Sequence, residues 1–314
     1  MSVAFADRDR DGLYTWKGVK YPSVTRVLDV FTSRNLQMWS AKMVAEECAS
    51  IMQKGIDGII PAAEVREMIM DWQARMTAAI RYRDHKGRIG TLTHQFLYEK
   101  AIGLSITDDV VWMHDKIDEL GLAKHEGCGD GYATTLAQST EPYVMAAQGF
   151  LDRYKPDFEM IGLEATVINE TFGYAGRMDG IMTLSKSKFP VNETWLWSDR
   201  PSVRLTTDFK TSKEISPTYP LQLEAYRQAE FIGLIQDESE TVVDMTDGTV
   251  VVHIKPDTGA KIISFPPDDE KFEVFCMMNY ILRSFENMPK PEKVKKIAKA
   301  ATRKKAEDKN KCPF

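Results

Sequence analysis

Gly176-Arg177-Met178-Asp179-Gly180, Thr207-Asp208-Phe209-Lys210-Thr211 and Gln222-Leu223-Glu224-Ala225-Tyr226 are the three blocks that decide how this chain is read. Before the first, Phe172-Gly173-Tyr174 signals a turn leading into a strand over residues 176–184, with Met178, Ile181 and Met182 among its apolar positions. Residues 203–211 predict a second strand. Successive strand side chains point to opposite faces, so Asp208 and Lys210 share one face while Phe209 packs behind it.

Two carboxylates from adjacent strands, Asp179 and Asp208, suit a hard cation such as Mg²⁺, which takes oxygen ligands and keeps several waters. Such an ion lowers the pKa of a bound water and neutralises charge building on a phosphate, and a lysine beside it orients that water or stabilises the developing oxyanion. Lys210 has that position. An isolated Asp-x-Lys also fits a solvated strand with a cross-strand ion pair. The order of the three blocks is what favours a site, and the chemistry it points to is metal-dependent phosphodiester cleavage.

The ordered set resembles the RecB-like branch of the PD-(D/E)XK nuclease superfamily, including phage-encoded exonucleases. Residues 90–99, Gly90-Thr91-Leu92-Thr93-His94-Gln95-Phe96-Leu97-Tyr98-Glu99, look like that family's helical Gly-x-x-x-His element. Tyr14-x-x-x-Gly18, Pro22-Ser23-Val24-Thr25 and Trp39 look like the opening of its phage exonucleases, so the likeness spans residues 12–235. It implies an α/β fold: a restriction-endonuclease-like core, a mixed central sheet flanked by helices, with a largely helical N-terminal region. It implies a DNA exonuclease serving phage replication or recombination, using one or two Mg²⁺ or Mn²⁺ ions. His94, Asp179, Asp208 and the backbone carbonyl of Phe209 would bind metal, with Lys210 catalytic beside the two aspartates. DNA, as linear duplex or single strand, is the implied partner. A homo-oligomer and a recombination or single-strand-binding partner belong to the same picture, in the cytoplasm of a bacterial or phage-infected host cell.

A neutral imidazole at His94 would sit more comfortably on Mn²⁺ than on Mg²⁺. Glu164, at the start of the strand before Asp179, reads either as a strand-edge charge or as an acid supporting the site or holding a second cation. Glu99 follows His94 by five residues, about 140° further round a helix, and ranks below Glu164. Gln222 and Tyr226 are four apart on one helical face. The resemblance implies that they support the site or touch DNA, and as residues alone they read as a polar seam packed on the sheet. Arg177 and Lys213 read as phosphate contacts or ordinary surface charges.

The 314 residues, 43% hydrophobic and 28% charged, are enough for one large domain or two modest ones. No apolar run reaches the ~18 residues of a membrane span, and residues 1–10 lack the apolar segment of a secretory signal. Cys48, Cys128, Cys276 and Cys312 contain no Cys-x-x-Cys pair, which argues against structural zinc or a disulfide framework. Some relatives hold an iron–sulfur cluster with three clustered cysteines after the nuclease motifs. Here only Cys276 and Cys312 follow them, so no cluster is expected. No Gly-x-x-x-x-Gly-Lys-[Ser/Thr] stretch occurs, so no ATP is expected either.

The net charge is −5, but residues 290–314 hold ten Lys or Arg against three acids, leaving about −12 for the rest. That basic stretch reads as a DNA tether or subunit contact, or as a solvated tail. Local potential, not net charge, governs phosphate binding, so an acidic body does not exclude DNA.

Three regions are expected: a mostly helical part over 1–155 carrying the His motif, a nuclease core over 156–289, and a flexible tail over 290–314. Helical patterns cover 36–52, 62–82, 90–101, 107–120 and 140–154, with a short strand and turn before them. Strands follow at 160–170, 176–184 and 203–210, then a helix over 221–233, a hairpin of 249–255 with 261–265, and a closing helix over 268–285. Between Asp179 and Thr207 lie more residues than a tight hairpin needs, and the excess, 185–202, holds Trp195 and Trp197. These rings read as a stacking platform for unpaired bases, a duplex wedge, or packing against the body or another subunit.

Overall fold

The structure, a computed structural model, describes residues 8–124, 131–188, 200–234 and 239–286. Along the chain it forms β1 (Leu13–Trp16), β2 (Val19–Pro22), α1 (Val24–Ile56), α2 (Ala62–Met70), α3 (Trp72–Ala101), α4 (Asp109–Glu119) and α5 (Tyr132–Tyr154). Then come β3 (Asp157–Phe158), β4 (Ala165–Asn169), β5 (Tyr174–Met178), β6 (Gly180–Ser185), β7 (Ser202–Lys210), α6 (Tyr219–Arg227), β8 (Phe231–Leu234), β9 (Ser239–Val242), β10 (Gly248–Lys255), β11 (Gly259–Phe265) and α7 (Asp269–Phe285). They divide into two compact units, Met1–Val30 with Leu97–Leu104 and Met145–Phe314, and Phe31–Phe96 with Ser105–Val144.

The first unit contains all the strands among the described residues. A five-stranded mixed sheet has the order β11-β10-β7-β6-β3, and β7 and β10 are its parallel pair. Parallel strands lie inside sheets covered on both faces, and β10 follows suit, with Val250, Val251, Val252 and Ile254 all fully buried. On the Asp208 and Lys210 side stands α6, which packs against β7 and β10 and is backed by α7. On the other side the Phe209 ring meets Phe150 of α5 and Phe158 of β3, each at 6.3 Å between centroids. An α/β fold with a mixed sheet flanked by helices is therefore what this unit adopts.

A second sheet has the order β5-β4-β8-β9; β4 is buried on both faces, and β9 is its exposed edge. Alternation sends Val167, Tyr174, Met178 and Ile232 into one core with Val24, Tyr226, Phe272 and Phe275. It sends Ile168, Ala175 and Phe231 into another with Tyr14, Trp16 and Tyr21 of the β1–β2 hairpin. That hairpin turns through Lys17 and Gly18, at φ +46° and +75°, the positive values a two-residue turn between right-twisted strands requires. From α7, Asn279 Nδ2 donates to Phe172 O at 2.8 Å and Arg283 Nη1 to Gly173 O at 3.2 Å, so the helix holds the turn between β4 and β5.

The second unit is helical. The Phe96 and Trp112 rings meet edge-on at 5.4 Å, and the Asp108 carboxylate caps α4 by accepting from Val110 N and Val111 N. His94 stands on α3 in this unit, half-buried. No helix among the described residues is long and apolar enough to cross a membrane. The first unit gathers both ends of the described chain, so packing and chain order divide the protein differently.

The hairpin of β10 and β11 and the closing helix, capped by Asp268 at 3.0 Å from Lys271 N, stand where the sequence places them. Other elements differ. The strand expected over 176–184 is broken at Asp179, where the chain leaves one sheet for the other. The helix expected over 221–233 stops at Arg227, because Phe231 and Ile232 point to opposite faces of the second sheet and serve separate cores. The strand expected over 160–170 opens instead with a short 3₁₀ turn, Met160–Gly162. α1 runs from Val24 to Ile56, α5 already starts at Tyr132, and the helix expected over 62–82 ends at Met70, after which α3 takes in the one expected over 90–101. No Gly or Pro marks the break at Asp71, and Gly87, Gly90 and Pro142 lie inside helices without stopping them. The short strand expected before α1 is a two-stranded hairpin.

A Cβ on Gly233 would lie 2.7 Å from Ile168 Cδ1 and 2.9 Å from Trp16 Cζ3. Gly233→Ala should therefore lower stability by about 1–3 kcal/mol in chemical denaturation, the usual cost of overpacking.

Candidate functional site

Asp179 occupies the single residue between β5 and β6. Its side chain is buried, and Oδ2 accepts a 2.6 Å hydrogen bond from Phe209 N. Its carbonyl accepts from Glu164 N at 3.0 Å. β6 and β7 are antiparallel, with Gly180 opposite Thr207, so Asp179 arrives beside Asp208 by register. The strand break is what turns its carboxylate onto the Asp208-Phe209 peptide.

Glu164 immediately precedes β4 and lies in the left-handed region at φ +50°. For a residue with a Cβ that conformation costs roughly 1–2 kcal/mol. Its carboxylate reaches to within 4.8 Å of an Asp179 carboxylate oxygen. It also pairs with Arg177 Nε at 3.0 Å, where the arginine side chain is 50% exposed and the glutamate 22%. An ion pair this open is worth about 0–1 kcal/mol and is easily exchanged.

Asp208 is buried and forms an ion pair with Lys210, whose side chain is 19% exposed. Lys210 Nζ also lies 4.9 Å from the centre of the Tyr219 ring. Burial pulls the lysine pKa down, but Asp208, and then Asp179, more than offset this and raise it above its ordinary value. The amine is thus a cation at neutral pH, suited to donating hydrogen bonds and balancing charge. The segment after β7 is fixed by His253 Nε2, 2.6 Å from Ser212 O, which requires the proton on that nitrogen, and by Tyr219 OH, which donates to Ser212 Oγ at 3.0 Å.

On α6, Gln222 Nε2 donates to Tyr226 OH at 2.9 Å, and both side chains are buried. Burial raises the Tyr226 pKa well above its usual range, with Asp208 and Asp179 adding to the effect. A Cβ on Gly176 would lie 2.5 Å from Tyr226 Cε1, so this glycine makes room for the tyrosine ring. Next to it Arg8, Tyr14, Ser23, Thr25, Arg177 and Tyr226 line a cavity of about 280 Å³. Arg8 Nη1 donates to Thr25 Oγ1 at 3.0 Å, and Ser23 Oγ caps α1 by accepting from Arg26 N at 3.1 Å.

The structure thus brings together Glu164, Asp179, Asp208, Lys210, Gln222 and Tyr226. Arg177 is a partner of Glu164, and Lys213 is an exposed residue after β7. For Phe209 the defined polar contact is its N–H. Glu99 is buried on α3. Cys48 and Cys276 are free thiols, and burial pushes the Cys276 pKa up, which makes it inert. Trp195, Trp197, Cys128, Cys312, the Trp39 side chain and the basic stretch 290–314 lie outside the described residues. Arg8, Tyr219 and His253 were not singled out by sequence. No periodic or spaced motif marks them, since each acts through a tertiary contact.

No protein-family model matches the chain, and no curated protein matches it either.

The backbone of Glu164 sets up a stability test. Glu164→Gln keeps the left-handed Cβ and loses the charge, whereas Glu164→Gly relieves the strain. The glycine variant should be the more stable of the two by about 1 kcal/mol in denaturant titration. Equal or reversed stabilities would mean that the backbone there is not strained.

Proposed function

We propose that the protein is a metal-dependent DNA exonuclease of the RecB-like PD-(D/E)XK kind, acting in phage DNA replication or recombination. The observation that carries this reading is the junction at Asp179. There a buried carboxylate fixed by Phe209 N–H, the Glu164 carboxylate and the Asp208–Lys210 pair converge at the seam of two sheets. A binding surface alone would not require acids gathered and buried beside a charged lysine, a costly arrangement unless they have a partner.

The donor set fits a hard cation: carboxylate oxygens from Asp179, Asp208 and Glu164 are the ligand type that Mg²⁺ and Mn²⁺ take. His94 joins this set on the strength of the sequence motif. A bound divalent ion would supply a water of lowered pKa and charge neutralisation at the scissile phosphate. The chain's own residues do the rest. Phe209 N–H holds the Asp179 rotamer, and Lys210, a cation, orients the nucleophilic water or donates to the developing oxyanion. Tyr219 and His253 keep the lysine and its following loop in place. Gln222 and Tyr226, buried and bonded to each other, form the wall behind the acids.

Digestion of end-labelled linear duplex, single-stranded DNA and closed circular plasmid with Mg²⁺, Mn²⁺ or EDTA tests the reading. Loss of linear DNA alone, dependent on metal, is the expected result. Nicked circles would mean an endonuclease of the same kind, and no cleavage would leave a DNA-binding protein on a nuclease fold. Asp208→Ala should abolish cleavage, and Lys210→Ala should lower turnover about 100-fold or more while sparing metal binding. His94→Ala should weaken Mn²⁺ affinity more than it changes Tm. Full activity of the Asp208 or Lys210 variant would overturn the assignment.

A further inference from the structure

The cavity beside the acids has a composition that the hydrolytic site does not account for. Two arginines, Arg8 and Arg177, line it together with Ser23 and Thr25 at the start of α1. Guanidinium forks and hydroxyls are the groups that recognise tetrahedral oxyanions, and the positive end of a long helix adds to the attraction. About 280 Å³ holds a phosphate group with several waters.

Arg177 serves two places. It lines this cavity, and its Nε engages Glu164, the strained residue within 4.8 Å of Asp179. With the arginine half-exposed, that pair is weak enough to exchange. We propose that the cavity binds a phosphate-class oxyanion and that Arg177 couples this binding to a divalent cation at Glu164 and Asp179, an inference that rests on the metal-dependent reading above. An anion beside Arg177 competes for the guanidinium and repels the Glu164 carboxylate, which turns to the cation. A cation on Glu164 in turn releases Arg177 toward the anion. Linkage makes the two effects equal, so each ligand tightens the other by the same factor. The site then charges with metal when a phosphate is present, and Arg177 is a positioning residue, acting through Glu164.

The test is Mn²⁺ titration of the full chain, followed by the paramagnetic signal of free Mn²⁺, with sodium sulfate as the oxyanion probe against sodium chloride of equal ionic strength. Sulfate should tighten Mn²⁺ binding roughly tenfold, a typical coupling. Arg177→Gln should abolish that effect without weakening Mn²⁺ binding in chloride. Arg8→Gln should raise the sulfate concentration needed while leaving Mn²⁺ binding in chloride as it was. Near-ultraviolet circular dichroism checks that both surface variants are folded. In the Lys210→Ala chain, oligonucleotides with and without a terminal phosphate replace sulfate. Coupling by the phosphorylated one alone identifies a chain end as the source, and coupling by both identifies internal phosphates. Mn²⁺ binding that neither sulfate nor oligonucleotide alters overturns the coupling and leaves the nuclease reading standing. Absence of Mn²⁺ binding overturns both.

Discussion

The 2.6 Å hydrogen bond from Phe209 N to Asp179 Oδ2 is the contact on which the site depends. It joins the residue where the chain passes between two sheets to the strand that carries Asp208 and Lys210. A buried carboxylate stays charged only when hydrogen bonds or opposite charge offset its lost hydration. Here a backbone donor, immovable because it belongs to a central strand, supplies part of that compensation and sets the direction of the carboxylate. β6 pairs with β7 immediately beyond, so the distance between the two aspartates follows from sheet register, not from loop conformation.

Around that bond the charges are arranged economically. Lys210 balances Asp208 and feels Asp179, and Arg177 balances Glu164 from the solvent side. One counter-charge is deep and held under an aromatic ring, and the other is half-exposed. The deep one is retained across the neutral pH range. The shallow one can be traded, because water screens it.

Much of this was legible in the residues. Alternation alone put Asp208 and Lys210 on one face with Phe209 behind, and four-residue spacing put Gln222 beside Tyr226. The break at Asp179 was not legible, because Met178, Ile181 and Met182 continue an apolar pattern that reads the same whether one sheet or two receives it. β8 was hidden for a related reason: Phe231 and Ile232 extend the apolar run of the preceding helix, and only the two separate cores they fill reveal a strand. Glu164 read equally well as an edge charge, since nothing in Gly162-Leu163-Glu164-Ala165 announces a left-handed backbone. Gly176 belongs to the motif for a reason that appears only in three dimensions, the tyrosine ring that fills the place of its missing side chain.

The two sheets are interleaved along the chain. β4 and β5 build one, β6 and β7 the other, β8 and β9 return to the first, and β10 and β11 to the second. The parallel pairing of β7 with β10 closes only after α6, β8 and β9 have been laid down between them. A cut anywhere between β4 and β9 divides both sheets, so the region resists dissection into autonomous fragments. Severed halves would have to reassociate to restore either sheet, and the junction at Asp179 would re-form only with complementation of the pieces.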